Sequence, residues 1–106
     1  MLTYDDFRKV EIKTARILEV NDHPSADRLY IIKIDLGAET RQIVAGIKKF
    51  YTPQELIGKN IVVLTNIEPA TIRGIESNGM LLAASDSDRL AVLTLDRDLP
   101  PGLSIK

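Results

Sequence analysis

The chain has 106 residues, 44% of them hydrophobic, and a formal net charge of −1: enough for one folding unit with its own core, and too apolar for a disordered chain. It has no cysteine, which excludes a disulfide framework and thiolate metal sites. No apolar run approaches the ~20 residues that cross a bilayer, and Met1-Leu2-Thr3-Tyr4-Asp5-Asp6 lacks the basic start and apolar stretch of a signal peptide, so a cytoplasmic protein is expected.

Residues 10–20 are rich in β-branched and aliphatic side chains, with Lys13, Arg16 and Glu19 between them, and predict a long, curved first strand. The turn formers Asn21-Asp22-His23-Pro24-Ser25-Ala26-Asp27 end it. Residues 29–36 then alternate. Tyr30, Ile32, Ile34 and Leu36 fall on one face, and Leu29, Ile31, Lys33 and Asp35 on the other. The first set is the expected core because the second carries charges, which presents Lys33 outward from a central strand. Gly37-Ala38-Glu39 predicts a hairpin turn, with residues 40–44 returning antiparallel.

In Thr52-Pro53-Gln54-Glu55 the threonine can cap a free amide, proline suits the first helical position and Glu55 can close a capping box. With Gly58 at the stop position, a short helix over 53–57 is expected. Residues 61–65 predict a buried strand, 67–79 a long loop containing Pro69, Gly74 and Gly79, and 80–84 another buried strand. Residues 90–95 and the tail at 103–105 supply further short strands around Pro100-Pro101-Gly102.

This order predicts an all-β protein: a five-stranded barrel of the OB type, with a short helix between strands three and four and C-terminal extension strands. On periodicity alone an SH3-like barrel fits nearly as well. No repeat, linker or low-complexity segment divides the chain. One domain over 1–106 is expected, with its core at about 10–85 and a C-terminal extension at about 86–106.

A protein that holds RNA by bulk counterion release is strongly basic; this one is not, so its cations would have to gather on one face. Acids thicken toward the ends, at Asp5, Asp6, Asp86, Asp88, Asp96 and Asp98. The middle carries Lys13, Arg16, Arg28, Lys33, Arg41, Lys48, Lys49 and Arg73. An evenly mixed, solvated surface is the plainer alternative. OB barrels bind nucleic acid on strands two and three. That would place Lys33 and Arg41 on or beside the face, Lys13 and Arg16 flanking it, and Arg73 at its rim. Aromatic residues are 5% of the chain with no tryptophan, poor material for a stacking platform; backbone and shape recognition of structured RNA suits it better. Phe7, Tyr30, Phe50 and Tyr51 are expected in the core.

Catalysis lacks parts. His23 is the one histidine and there is no cysteine, so nucleophile–base pairings have little to draw on. Asp22 and Asp27 beside His23 could form a triad fragment or metal site, but a turn shaped by His23-Pro24, with Asp27 accepting loop amides, is the simpler account. The glycines at 37, 46, 58, 74, 79 and 102 are scattered and form no phosphate-loop or dinucleotide fingerprint.

Several blocks in order resemble the tRNA-binding domain family. They are residues 6–12, Ile17-Leu18-Glu19-Val20, His23-Pro24-Ser25-Ala26-Asp27-Arg28-Leu29-Tyr30, Lys33-Ile34-Asp35-Leu36-Gly37, residues 41–47 and 51–59, and Arg73-Gly74-Ile75-Glu76-Ser77-Asn78-Gly79-Met80 with the four residues after it. The resemblance covers nearly the whole chain. It implies an OB fold and structure-specific, largely sequence-independent binding of tRNA near its elbow. The domain would act in trans or as a detached subunit of methionyl-tRNA synthetase, with no catalysis and no cofactor or metal. Methionyl-tRNA synthetase or another synthetase is an implied partner. So is a second copy, through a homodimer formed by segments outside the barrel, including Leu99-Pro100-Pro101-Gly102-Leu103. The tRNA contacts it implies are Lys33, Arg41, Ser77 and Met80, and in a second set Ser25, Arg28, Arg73 and Asn78. Lys33 and Arg41 would neutralise phosphates, Ser77 would bond phosphate or ribose, and Met80 would offer a flexible apolar contact. From the residues alone, Ser77 reads as a loop-satisfying hydroxyl and Met80 as a core residue. The family commonly has asparagine at position 25 and lysine at position 28, so Ser25 and Arg28 are departures. An export-related chaperone branch of the fold gives the alternative, a protein-binding dimer; the 74–80 block favours tRNA.

Overall fold

The computed structural model describes residues 1–106. The predicted first strand is β1, Ile12–Asp22, and its length is what curls the sheet. Its first half pairs antiparallel with β4, Asn60–Leu64, and its second half with β2, Tyr30–Asp35. Arg16 faces Asn60 on one side and Asp35 on the other. Leu18 bulges out between Ile17 and Glu19, which sharpens the bend there. β3, Thr40–Ala45, continues beyond β2, and β7, Met80–Leu81, beyond β4. The order β3-β2-β1-β4-β7 is a nearly closed, OB-like antiparallel barrel.

The alternation read from 29–36 is present. Tyr30, Ile32, Ile34 and Leu36 are buried and Lys33 is exposed. They meet Ile17, Ile43, Ile61 and Val63 inside the barrel, where each fully buried aliphatic side chain contributes about 1.5–3 kcal/mol. Helix α2, Pro53–Leu56, lies between β3 and β4. Its Thr52–Glu55 capping box is formed, and Leu56 enters the core. Of the aromatic residues expected inside, Tyr30 is buried and Tyr51 half-buried, while Phe7 and Phe50 are exposed.

Four segments differ from the sequence reading, the shortest change being the strand expected over 90–95, which ends at Val92. Residues 67–79 are not a loop throughout: β5, Ala70–Ile72, and β6, Ile75–Ser77, form a hairpin. The run 80–84 is not one buried strand. β7 ends at Leu81, Leu82 donates to Val62 O, and β8, Ala83–Ser85, turns away to pair with β9, Leu90–Val92. Met80, Ala83 and Ala84 are exposed. A helix α1, Tyr4–Arg8, precedes the barrel on a Thr3–Asp6 capping box.

The tail returns along the first half of β1, where β2 has ended. Thr14 Oγ1 donates to Pro100 O and accepts from Leu103 N, and Gly102 N donates to Thr14 O at 2.7 Å. Lys13 bridges Ser104. Arg16 Nη2 reaches both Asn60 Oδ1 and Asp98 Oδ1 at 2.9 Å. The Asn60 amide, then the Arg16 charge, hold the Asp98 carboxyl below the usual aspartate range. Gly102 adopts φ +88°, and a Cβ there would stand 2.3 Å from Leu36 O.

Gly102→Ala should therefore lower the urea midpoint by more than left-handed strain alone, which is on the order of 1–3 kcal/mol. Gly58→Ala is the control: the same sign of φ, with nothing within 4 Å of the added Cβ, should show only the strain. Equal losses at the two positions would mean that the tail is not held against Leu36.

Candidate nucleic-acid interface

The β5–β6 hairpin turns at Arg73 (φ 52°) and Gly74 (φ 86°), the two positive angles of a type I′ turn. The hairpin lies along the free edge of β3. Asn78 N donates to Gln42 O, Gln42 Nε2 donates to Glu76 O, and Val44 N donates to Ser77 Oγ, each at 2.9 Å. Ser77 Oγ in turn donates to Gly79 O at 3.1 Å. Gly79 passes so close to the barrel that a Cβ would meet Val63 Cγ1 at 3.2 Å and Ile43 Cγ2 at 3.3 Å.

The hairpin tip reaches the β1–β2 loop. His23 is buried between them, with Nδ1 accepting from Ser25 N at 3.0 Å and Nε2 lying 3.1 Å from Ile72 O. Because Nδ1 is the acceptor, Nε2 carries the proton and donates to Ile72 O. Arg73 Nη2 donates to Ser25 O at 2.9 Å. Lys48 N donates to Arg28 O, and Lys48 Nζ pairs with Asp22 at 3.1 Å. Ser25, Arg28 and Arg73 thus line one depression with Ala26, Asp27 and Leu29.

A second depression lies at β1, β2 and β3, lined by Glu19, Asn21, Ile31, Lys33, Thr40, Arg41 and Gln42. Lys33 stands opposite Gln42 and Glu19 in the register and is exposed. Arg41 is opposite the core residue Ile34, so its side chain is only 20% exposed. It donates to Thr65 O at 2.7 Å and forms an ion pair with Glu39. Thr65 follows Leu64, the partner of Met80, which places Met80, 45% exposed, near Arg41.

The sequence-derived residues therefore fall into a band along the hairpin. Ser25, Arg28 and Arg73 are at one end, Lys33 is on the face, Asn78 is at the edge of β3, and Arg41 and Met80 lie toward the other end. Ser77 is the exception. It is 4% exposed, with its hydroxyl bonded on both sides, so it holds the seam instead of facing outward. Met80 is a surface residue and not a core one. Lys13 and Arg16 do not join the band: Lys13 lies within 4.0 Å of Glu11, and Arg16 is tied to the tail. Gln42 and His23 were not assigned to the site from sequence. Gln42 follows from its register opposite Lys33, whereas His23 read only as a turn former, because its partner Ile72 is distant in the chain. Arg28, Lys33 and Arg73 form no ion pair. The three carboxyls held below their usual range, Glu55 by the Thr52 amide, Asp86 by Arg89 and Asp98 by Asn60, lie outside the band.

Residues 12–104 match the family model described as "Putative tRNA binding domain". The chain belongs to the tRNA-binding domain family. It is 50% identical to the methionine–tRNA ligase of Thermococcus kodakarensis over 105 residues, which are 99% of this chain and 14% of that protein. It is also 50% identical to the methionine–tRNA ligase of Thermotoga maritima over 104 residues, 98% of this chain and 16% of that protein. This tRNA-binding domain thus spans only a small part of the length of the curated relatives it matches. Among solved structures, the MetRS-related protein of Pyrococcus horikoshii superimposes with a TM-score of 0.93 at 28% identity, covering 100% of this chain and 98% of the other. The CsaA chaperone protein of Picrophilus torridus gives 0.91 at 34% identity over 100% of both chains.

Ser77→Ala should destabilise the domain by about 1–3 kcal/mol in denaturant unfolding, because the Val44 amide is left buried without an acceptor. Ser25→Ala, on the exposed loop, should stay within about 0.5 kcal/mol. Equal and small losses at both positions would show that the Ser77 hydroxyl does not hold the seam.

Proposed function

We propose that this domain is a binding module without a reaction of its own, which holds folded tRNA through its phosphate backbone, largely independently of sequence. It acts in the cytoplasm, in trans or as a detached subunit of a methionyl-tRNA synthetase, and uses no cofactor. The observation that carries this reading is the partition of charge. Arg28, Lys33 and Arg73 lie in one band and form no ion pair, with Asp27 and Glu19 beside them in the two depressions. Asp86, Asp96 and Asp98 are paired with Arg89, Arg97 and Arg16 away from it. A net charge of −1 is then compatible with a polyanion, because the local potential decides docking.

Lys33, Arg28 and Arg73 take phosphates. Arg73 uses one N–H on Ser25 O and keeps the rest of its fork for the ligand. Asn78 and Ser25 supply hydrogen bonds to ribose or phosphate, Met80 supplies a flexible apolar contact, and Arg41 offers its exposed edge. Ser77 serves binding indirectly, by fixing the hairpin.

The proposed homodimer uses the apolar side chains of the tail and of α1 with the residues just after it: Tyr4, Phe7, Val10, Leu99 and Leu103 are exposed. Sedimentation equilibrium should give twice the 11.8 kDa chain mass; a single-chain mass at micromolar concentration would remove the dimer.

A second reading, a protein-binding chaperone, is favoured by the 34% identity to the CsaA protein. Binding assays separate the two. Saturable binding of tRNA that weakens steeply with salt is expected, with an unstructured RNA of equal length bound less well. Lys33→Ala should weaken tRNA binding by about 1 kcal/mol and reduce the salt slope by about 1, with little loss of stability. No preference for the folded RNA would count against tRNA, and recovery of unfolded polypeptide without RNA would favour the chaperone.

A further inference from the structure

His23 is the one histidine of the chain and is 5% exposed. Both of its ring nitrogens are committed to backbone: Nδ1 to Ser25 N within its own loop, and Nε2 to Ile72 O at the end of β5. His23 and Ile72 are 49 positions apart in the chain, and the two elements joined carry the two cations at this end of the band, Arg28 and Arg73. The other link between them, Arg73 to Ser25 O, is made by an exposed and flexible side chain. The imidazole is the stiff one.

We propose that His23 is a positioning residue that fixes the spacing of the β1–β2 loop and the hairpin tip, and so sets the preference for folded over single-stranded RNA; this rests on the tRNA-binding reading. A fixed pair of cations matches phosphates only at one separation. Folded RNA presents such a pair already ordered, whereas a flexible strand loses conformational entropy to do so. With the joint open, the loops adapt to either ligand. The folded RNA then loses its advantage, while Lys33 on the barrel still supports binding of both.

Two near-isosteric variants separate positioning from simple loss of stability. His23→Asn keeps an oxygen near Nδ1 for the Ser25 amide but is too short for Ile72. His23→Gln extends an amide N–H toward Ile72 O and gives up the Ser25 acceptor. Each loses one hydrogen bond. An unfolded fraction lowers the apparent affinity for both RNAs by the same factor, so the affinity ratio reports only the folded domain.

Dissociation constants would be measured for a tRNA and for an unstructured RNA of equal length, with wild type and both variants. The ratio should fall about fivefold in His23→Asn, the weight of one hydrogen bond, and remain within about twofold of wild type in His23→Gln. The same ratio in both variants, unchanged or lowered alike, would overturn the role of the Ile72 link. A wild type that itself shows no preference would remove the tRNA reading and this inference with it; a wild-type preference with indistinguishable variants would remove the inference alone.

Discussion

A five-stranded antiparallel sheet curled toward a barrel leaves a gap between its first and last strands unless their backbone groups find partners. Here β7 contributes only Met80 and Leu81, too little to complete a ladder with β3. The gap is closed instead by the segment just before it. Asn78 supplies a backbone N–H to Gln42 O, and Ser77 Oγ stands in for the carbonyl that Val44 N would meet in a longer strand. Gly79 lets the chain pass against Val63 and Ile43, where a Cβ would be crowded. The placement of Asn78, Met80 and the hairpin follows from this substitution of a side chain for a strand.

What could be read from the sequence was whatever rests on short-range periodicity or local capping. The alternation of Tyr30, Ile32, Ile34 and Leu36 around Lys33 needs only the two-residue repeat of a strand, and the Thr52–Glu55 box needs only three residues' spacing. The β5–β6 hairpin escaped because a type I′ turn is normally announced by Asn-Gly or Asp-Gly; Arg73 in the left-handed region carries no such flag. Helix α1 had a usable signal, Thr3 with Asp6 at the third position, hidden in a polar stretch without an apolar stripe.

The candidate site divides along the same line. Lys33 was legible because alternation alone points it outward. Arg41 depended on register: the turn after Leu36 places it opposite Ile34, on the side that faces the core. Its partial burial against Thr65 O follows from that and not from its own residue type. Ser77 and His23 depended on contacts across long stretches of chain, which residue identity does not reveal. Charge was legible only as a total; which cations are paired, as Arg16 is with the distant Asp98, and which are not, as Arg28, Lys33 and Arg73, depends on the folded arrangement.

The hairpin is at once the seal of the barrel and the arm that carries Arg73. Its two ends therefore differ in how freely they can change. At the seam, Ser77 and Gly79 answer to the packing of Ile43, Val44 and Val63, so selection for a new ligand has little room there. The tip and the β1–β2 loop answer mainly to each other. Divergence in what such domains recognise would be expected to accumulate at positions 25–28 and 73, while the seam stays nearly fixed.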